Sequence, residues 1–296
     1  MDEANRFPRT DLATERRRAD LSLPGTDYRE EAEGRFTVTR IKIGDATSAR
    51  AIGRPIGSYL TVAFPPLDSL SEEERTKLAQ ILLREIKSVL PRRRASGAAT
   101  VLIAGLGNRA IVSDAVGPAT VGRVTATAHL AKLDPALFTS LGCDAIATLS
   151  PGVCADTGLE SVGIIAGACR ALRPDYVLTL DALVARSSER LMTTVQISDT
   201  GIRPGSGIGN ARAAIDRETL GVPVISIGVP TVVEAATLVS DQLARAGVPD
   251  EDCDALTDSH DLFFVTPKDA DLSVARISRL LSEVLTTLYN LPPAES

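Results

Sequence analysis

The sequence predicts an α/β fold: a mostly parallel sheet flanked by helices, with a small antiparallel β region near the N-terminus. After residue 100, short apolar runs alternate with stretches of helical periodicity, which is typical of a sheet covered by helices. Before it, the runs FTVTRIKIG and SYLTVAFPPL alternate polar and apolar residues and are separated by turn residues, which indicates antiparallel strands. A single main domain accommodates both patterns.

Each later element has its own sequence pattern. Short apolar runs bounded by Gly or Pro predict buried strands, and apolar residues at helical spacing after a capping residue predict helices. The predicted strands are TVLIA (Thr100–Ala104), a run within AIATLSPGV that ends at Pro151, YVLTL (Tyr176–Leu180), TTVQIS, VPVISIGVP and FFVTP. The predicted helices are a helix starting at Ser69 or Ser71, TVGRVTATAHLAKL starting at Pro118, SVGIIAGACRAL, TVVEAATLVSDQLARAG and DLSVARISRLLSEVLTTLYNL.

Composition excludes several classes of function. The 32 basic and 38 acidic residues leave a net charge of −6, which argues against a broad nucleic-acid-binding surface. The 2 histidines cannot form a His-rich zinc site, and the 4 cysteines lie too far apart for a C-x-x-C site, so we expect no metal and a reducing, cytoplasmic compartment. No run of about 18 apolar residues predicts a membrane span.

The first 35 residues are polar, with basic residues at Arg16–Arg18 and acidic residues at Glu30–Glu33. This composition predicts a mobile arm or pro-segment ahead of the folded domain.

Two aspartates follow predicted strands at positions where catalytic groups collect. In an open parallel sheet, functional side chains lie just past the carboxyl ends of the strands. Asp181 directly follows the strand YVLTL, and Asp114 lies in the loop that follows TVLIA. Two carboxylates held together cannot both ionise easily, so one keeps a proton and the pair can activate water. The alternative is that each Asp only caps a helix.

Two other motifs suggest different chemistry. Gly105-Leu106-Gly107 follows a strand, as in a dinucleotide-binding turn, but the predicted helix starts only at Pro118, too late to meet a pyrophosphate. The triplets Asp156-Thr157-Gly158 and Asp199-Thr200-Gly201 match the motif of pepsin-type proteases, but they lie in an α/β pattern. We therefore interpret both as turns.

Several strings resemble one known family in its own order along nearly the whole chain. The sequence is similar to the germination protease of spore-forming bacteria, which degrades small acid-soluble spore proteins. The matching strings are RTDLATE, GRPIGSYLTV, GLGNRAIVSDAVGP, SPGVCADTGLE, RPDYVLTLDALVARSSERLMTTVQISDTGIRPGSGIGN, LGVPVISIGVPTVV and FVTPKDAD.

The resemblance implies a fold like that of the hydrogenase maturation endopeptidases, a homotetramer and a location in the forespore or spore core. It carries the two catalytic aspartates of the family onto Asp114 and Asp181, with Gly107, Asn108 and Arg186 as candidate cleft-lining residues. In the hydrogenase relatives the corresponding positions bind a metal together with a histidine. Neither histidine here lies in a matching loop, so no metal or other cofactor is predicted.

The resemblance also implies a zymogen that removes its own N-terminal peptide. Family substrates are cut after an acidic residue and before an apolar one, and the segment Thr10–Glu15 repeats that pattern. The prediction is cleavage between Asp11 and Leu12, with residues 1–11 as propeptide, residues 12–296 as the protease domain and residues 12–35 as a mobile arm. The predicted partners are small acid-soluble spore proteins as substrates, without direct nucleic-acid or membrane contact.

Three alternatives stay open. The first is a nucleotide-binding oxidoreductase that uses the GLGN loop, and the second is a non-catalytic member of the family. The third is a metal-sensing maturation peptidase.

Overall fold

The strands that carry the site belong to one mixed sheet. The protein is described here by a computed structural model, which covers residues 10–15, 23–92, 97–205, 212–248 and 263–292. Within these ranges the strands are β1 (Thr26–Glu33), β2 (Phe36–Ile43), β3 (Gly57–Ala63), β4 (Thr100–Gly105), β5 (Ala145–Leu149), β6 (Tyr176–Ala185), β7 (Thr194–Ser198), β8 (Val224–Glu234) and β9 (Phe264–Val265). They lie in the order β1-β2-β3-β7-β8-β6-β4-β5, and β9 pairs with β8.

One half of the sheet is parallel, as the alternating pattern predicted. Strands β5, β4, β6 and β8 pair in parallel, with Val101 opposite Ile146 on one side and Tyr176 on the other. Their carboxyl ends therefore meet at one edge of the sheet, where the loops after β4 and β6 lie side by side.

The other half is antiparallel and larger than the sequence pattern indicated. Strands β1, β2, β3 and β7 pair antiparallel with one another in that order, and β7 also pairs antiparallel with β8. Strand β7 thus joins the N-terminal antiparallel region to the parallel half. The α/β class is confirmed, with a mixed sheet.

The expected mobile arm is corrected in two places. Residues Thr26–Glu33 form a strand that pairs with β2 along its whole length, from Thr26 opposite Ile43 to Glu33 opposite Phe36. A strand at a sheet edge is held by backbone hydrogen bonds, so a polar composition does not prevent it from forming. Leu12 and Ala13 are fully buried rather than exposed on an arm.

Helices cover both faces of the parallel half. The described helices are α1 (Ala46–Ile52), α2 (Glu72–Val89), α3 (Val116–Val121), α4 (Leu130–Leu133), α5 (Pro135–Leu141), α6 (Cys154–Thr157), α7 (Ser161–Leu172), α8 (Arg217–Leu220), α9 (Ala235–Arg245) and α10 (Ala270–Tyr289). Alternate residues of β4 enter different cores: Val101 and Ile103 pack with α2, α3 and α10, whereas Leu102 and Ala104 pack with α7.

Helix boundaries follow local capping chemistry at helices such as α2, whereas α3 ends earlier than its sequence predicts. Ser71 caps α2, accepting a hydrogen bond from the N–H of Glu74 in a capping box, as the sequence predicted. Helix α3 ends at Val121 instead of continuing, because the N–H groups of Thr127 and Ala128 both donate to the carbonyl of Ile146 at the edge of β5. These bonds hold the chain away from a helical path.

The predicted helix TVVEAATLVSDQLARAG also starts later than expected. Val232 and Val233 continue β8, where they pair with Val184 and Ala185 of β6, and α9 begins only at Ala235. In the described part of the chain, no helix combines enough length and apolar character to cross a membrane.

Candidate active site

Asp114 lies in the loop after β4 and Asp181 in the neighbouring strand β6, which continues to Ala185 instead of ending at Leu180 as predicted. Asp114 is the last residue of the short 3-10 helix Val112–Asp114 in the loop after β4, and Asp181 lies within β6, next to Gly228 of β8. The chain leaving β4 stays against β6, because the N–H of Leu106 donates to the carbonyl of Leu180 at 2.8 Å. The two side chains predicted to form a pair are thus brought together by parallel pairing.

Two glycines allow this close approach. Gly107 has a φ of 106°, and a Cβ there would lie 2.1 Å from the backbone oxygen of Asp114. At Gly117 a Cβ would lie 2.3 Å from the carbonyl oxygen of Leu106 and 2.5 Å from that of Leu180. Only glycine fits at either position, so these residues determine where the Asp114 carboxylate lies.

The environment of Asp181 favours its protonated form. Burial raises its pKa well above the ordinary value, and the negative charges of Asp114 and Asp11 raise the pKa further. The N–H of Ala182 donates to Asp181 Oδ1 at 2.9 Å, which acts in the opposite direction but does not reverse the shift.

Asp114 is less perturbed. Burial raises its pKa, while the N–H of Asn108 donates to Asp114 Oδ2 at 2.7 Å and stabilises the charged form. Since Asp114 has a donor for its carboxylate and lies opposite a more deeply buried Asp181, a single proton shared by the pair resides on Asp181.

A cleft of about 1060 Å³ opens over this pair. Gly107 lines it, as predicted, whereas Asn108 and Arg186 do not: Asn108 holds the Asp114 carboxylate, and Arg186 contributes its backbone N–H to Glu15. Among the lining residues are Asp11, Asp114, Asp181, Gln196, Arg54, Arg203 and Arg212.

Thr10 and Asp11 line the cleft beside β6, and the chain then turns into the short 3-10 helix Ala13–Glu15. The N–H of Asp11 donates to the carbonyl of Val184 at 2.8 Å, and the N–H of Val184 donates to Asp11 Oδ2 at 2.9 Å. Arg54 Nη2 donates to the carbonyl of Thr10 at 2.8 Å. The residue before the predicted cleavage site therefore lies in the same cleft as the aspartate pair, close enough for its charge to raise the pKa of Asp181.

The residues after Asp11 are held by buried apolar contacts and by a carboxylate site. Leu12 is fully buried among Leu183, Ala185, Leu191 and Val233. Ala13 is fully buried in a second cluster, with Ile41, Ile43, Ile52 and Tyr59.

Glu15 lies past these apolar contacts, where its carboxylate accepts hydrogen bonds from the backbone. The N–H of Arg186 donates to Glu15 Oε2 at 2.7 Å, and the N–H of Ser187 donates to Oε1 at 2.9 Å. The hydroxyl of Thr10 also hydrogen-bonds this carboxylate.

Sequence analysis did not identify Gln196, which contacts the segment on both sides of Leu12. Its Nε2 donates to the carbonyl oxygen of Asp11 at 3.0 Å, and its Oε1 accepts from the N–H of Ala13 at 2.7 Å. The only pattern that could have drawn attention to it is a polar side chain within the otherwise β-forming run TTVQIS.

The residues around the pair do not fit a metal ion. Among the described residues, no group of three or more His, Cys, Asp or Glu side chains could hold one. His129 is the N-cap residue of the short helix α4, and His260 lies outside the described ranges. Two carboxylates without a third protein ligand fall short of the usual donor set.

The loop after β4 also differs from a dinucleotide-binding turn. Helix α3 begins at Val116, well beyond the glycine run, and the N–H of Asn108 is already bonded to Asp114. Neither a helix N-terminus nor this N–H group is available for a pyrophosphate. Of the two Asp-Thr-Gly triplets interpreted as turns, the first instead ends helix α6 with Gly158 as its left-handed C-cap, and the second forms a bend after β7 with Gly201 at a φ of 76°.

Comparison with known proteins points to one family. The sequence model described as germination protease matches residues 5–245. The chain is 42% identical over 237 residues to a germination protease from Caldanaerobacter subterraneus, covering 79% of this chain and 72% of the relative. It is 33% identical over 303 residues to one from Clostridium tetani, covering 93% of each chain.

Other comparisons cover less or are weaker. A germination protease from Bacillus cytotoxicus is 40% identical over 242 residues, which span 79% of this chain and 65% of the relative. The solved structure of the NiFe hydrogenase maturation protease HycI from Thermococcus kodakarensis matches with a TM-score of 0.36 and 17% identity, over 69% of this chain and 99% of that one. A likeness at that level carries no argument about function.

Proposed function

Because the chain belongs to the germination protease family, we propose that it is an endopeptidase that begins the degradation of small acid-soluble spore proteins during germination. It is made as a zymogen that cuts its own Asp11–Leu12 bond, and it acts as a homotetramer in the forespore or spore core. Asp114 and Asp181 are the groups that activate water.

The observation that carries the proposal is the buried carboxylate pair beside a docked peptide. Burial and mutual repulsion raise the pKa of Asp181, so the pair holds one proton where two exposed aspartates would hold none. Such a pair contains a base and an acid at once, which is what hydrolysis of a peptide bond requires.

In the proposed reaction, ionised Asp114 takes a proton from a water molecule whose oxygen attacks the carbonyl carbon of Asp11. Protonated Asp181 then gives its proton to the nitrogen of Leu12 as the C–N bond breaks. The products are a new carboxylic acid at Asp11, which loses its proton to solvent, and a new amine at Leu12, and the pair ends with one proton, now on Asp114.

The contacts of Thr10–Glu15 support a substrate class. Asp11, which precedes the scissile peptide bond, accepts a hydrogen bond from the N–H of Val184. Leu12, which follows it, fills an apolar pocket, and Glu15 accepts hydrogen bonds from two backbone N–H groups. An acidic residue, an apolar residue and a second acidic residue at these positions match the cleavage pattern that the family resemblance implies for small acid-soluble spore proteins.

Intact-mass analysis tests the proposal. Wild type, Asp114→Asn and Asp181→Asn are incubated at mildly acidic pH, alone and with a small acid-soluble spore protein. Asp271→Asn, an exposed residue at the start of α10, is the matched control for the substitution itself. We expect wild type and the control to lose the first 11 residues and to cut the substrate, and both pair variants to do neither.

Other outcomes discriminate among the alternatives. If all four chains stay intact and inert, the proposal fails in favour of a non-catalytic family member. If the pair variants cut as fast as wild type, another group is the catalyst. Analytical ultracentrifugation of the purified chain tests the homotetramer separately.

A further inference from the structure

We propose that Gln196 is a third catalytic residue, whose side-chain N–H stabilises the oxyanion formed at the carbonyl of the bond that is cut. This inference rests on the proposed function, because it takes the Asp11–Leu12 bond as a substrate. It adds to the aspartate pair a group that acts on the carbonyl oxygen rather than on water.

The partners of Gln196 determine the orientation of its amide. The N–H of Ala13 can only donate, so it must face Oε1, and the carbonyl of Asp11 can only accept, so it must face Nε2. The two partners therefore determine which end of the Gln196 amide is nitrogen, and its N–H faces the carbonyl of the scissile bond. The second bond, to Ala13, keeps it in that orientation.

The sheet places Gln196 and Asp181 on two sides of the same peptide. Gly228 of β8 pairs with Asp181 of β6 on one side and with Gln196 of β7 on the other. Paired residues on adjacent strands direct their side chains to the same face. Gly228 has no side chain, so the Leu183 side chain packs over it between the two residues, and Gly228 also lines the cleft.

Gln196 is also held firmly. It lies in the middle of β7, which pairs with β3 through Thr61 and with β8 through Gly228. A hydrogen-bond donor fixed in advance costs no reorganisation when charge develops, which is the condition for effective stabilisation of an oxyanion.

The chemistry needs such a donor. When the water oxygen adds to the carbonyl carbon of Asp11, the electron pair of the C=O bond moves onto the oxygen. At that stage Asp114 has taken the water proton and Asp181 still holds its own, so the pair is neutral and the negative charge lies on the carbonyl oxygen. The N–H of Gln196 is neutral, already bonded to that oxygen, and bonds it more strongly as the oxygen becomes negative. The oxyanion then collapses as the C–N bond breaks.

Arg54 provides an internal comparison. It donates to the carbonyl of Thr10, one residue before the bond that is cut, where no charge develops. Its contribution is the same in the ground state and the transition state, so it affects binding and leaves the chemical step alone.

The test compares self-cleavage rates of full-length chains. Gln196→Glu keeps an acceptor for Ala13 but lacks the amide donor, and Gln196→Met keeps the volume without donor or acceptor. Gln80→Glu, the same exchange at an exposed position of α2, is the matched control. The first-order rate of Asp11–Leu12 cleavage is followed by intact mass, and thermal unfolding verifies the fold of each variant.

We expect both Gln196 variants to cut about 10²- to 10³-fold more slowly than wild type, as for the loss of an oxyanion donor elsewhere, and Gln80→Glu to cut at the wild-type rate. With the synthetic peptide RTDLATE as substrate of the self-processed enzyme, Arg54→Met raises KM and leaves kcat within a few-fold of wild type.

The results separate this inference from the proposed function. If wild type cuts, the Asp114 and Asp181 variants do not, and a folded Gln196→Met cuts within threefold of wild type, the role of Gln196 is overturned while the pair stands. If wild type does not cut at all, both fail together. Slow cleavage by both folded Gln196 variants supports the inference.

Discussion

Asp181 and Gln196 lie in one row of the sheet, one on each side of Gly228. Adjacent strands lie about 4.8 Å apart, so the backbones of the two residues are separated by about 10 Å, the width of two strand spacings. The Leu183 side chain packs over the glycine, and Gln196 donates to the carbonyl of Asp11 at 3.0 Å. Three adjacent strands thus present a proton donor and a hydrogen-bond donor from one rigid surface.

Gly228→Ala is expected to block self-cleavage more than it destabilises the fold. A Cβ there would lie 2.4 Å from Cδ1 of Leu183, which also forms the pocket of Leu12. Displacing Leu183 costs about 1–3 kcal/mol of stability, and it disturbs the pocket directly. Intact-mass kinetics and thermal unfolding measure the two effects.

Gly163→Ala is the matched control for that substitution. No atom lies within 4 Å of a Cβ at Gly163, which is on α7 and does not line the cleft, so this exchange should stabilise the helix slightly. Wild-type cleavage by Gly228→Ala would show that the packing of Leu183 over the glycine is not needed for cleavage.

The rate of self-cleavage is expected to fall as pH rises through the raised pKa of Asp181. The reaction needs a protonated Asp181, and deprotonation removes the acid. At the acidic end the rate falls again, because Asp114 must be ionised and burial raises its pKa too. Intact-mass kinetics from about pH 4 to about pH 9 would show a bell-shaped profile. A flat profile across the alkaline half would contradict a shared proton, provided that circular dichroism shows a folded chain throughout.

Asp181→Asn is expected to stabilise the uncut chain at neutral pH. Because burial and the charge of Asp114 raise the pKa of Asp181 on folding, its contribution to stability is fully present below the ordinary Asp pKa. That contribution is lost as pH rises through the raised pKa. The amide has no charge to bury. Each kcal/mol gained raises Tm by about 2–4 °C.

The gain from Asp181→Asn should shrink towards about pH 3, below the ordinary pKa of aspartate, where both side chains are neutral. Asp271→Asn shows the effect of removing an exposed charge. If Asp181→Asn changes Tm by the same amount at acidic and at neutral pH, the charge of Asp181 does not destabilise the folded chain.

Leu12→Ala is expected to slow self-cleavage by up to about 30-fold. The substitution removes about 2 kcal/mol of buried apolar contact from the pocket after the scissile bond, which lowers the docked fraction. Leu133→Ala removes the same atoms from a side chain that is 80% exposed and should leave the rate unchanged. Equal rates for the two variants would argue that docking of Leu12 does not limit cleavage.

Glu15→Gln is expected to slow self-cleavage about tenfold. The carboxylate accepts from the N–H groups of Arg186 and Ser187, and hydrogen bonds to a charged group are stronger than those to an amide. Glu283→Gln, at an exposed position of α10, controls for the lost charge. Added salt weakens interactions between charged groups. If salt slows self-cleavage of wild type and of Glu15→Gln by the same factor, the charge of the Glu15 carboxylate does not contribute to the rate.

Local patterns predicted the elements whose formation depends on neighbours in sequence. The start of α2 followed from Ser71 and Glu74, and the strands β4 and β6 followed from short apolar runs. Because parallel strands end at one edge, the meeting of Asp114 and Asp181 could also be anticipated from their predicted positions after those strands. Their catalytic role stays a prediction.

Contacts between distant residues could not be anticipated in this way. Strand β7 was predicted, but its antiparallel pairing with β3 and β8 was not, and that pairing alone brings Gln196 opposite Asp181. The burial of Leu12 likewise depends on side chains from β6, β8 and the loop before β7. The polar residues around Leu12 predicted a mobile arm, because an average composition is dominated by the exposed polar residues and does not show that one apolar residue is buried.

By itself, the sequence determined the α/β class, the position of Asp114 in the loop after β4 and the acidic–apolar pattern of Thr10–Glu15, whereas Asp181, expected just after a strand, lies within β6. These properties depend on the order of residue types along the chain, to which hydrophobic periodicity and turn chemistry respond directly. Only the tertiary structure decided that the start of the segment lies in the cleft and that Gln196 holds the carbonyl of Asp11 across from Asp181. Strand pairing and burial join residues more than 180 positions apart, so that decision belongs to the folded chain as a whole.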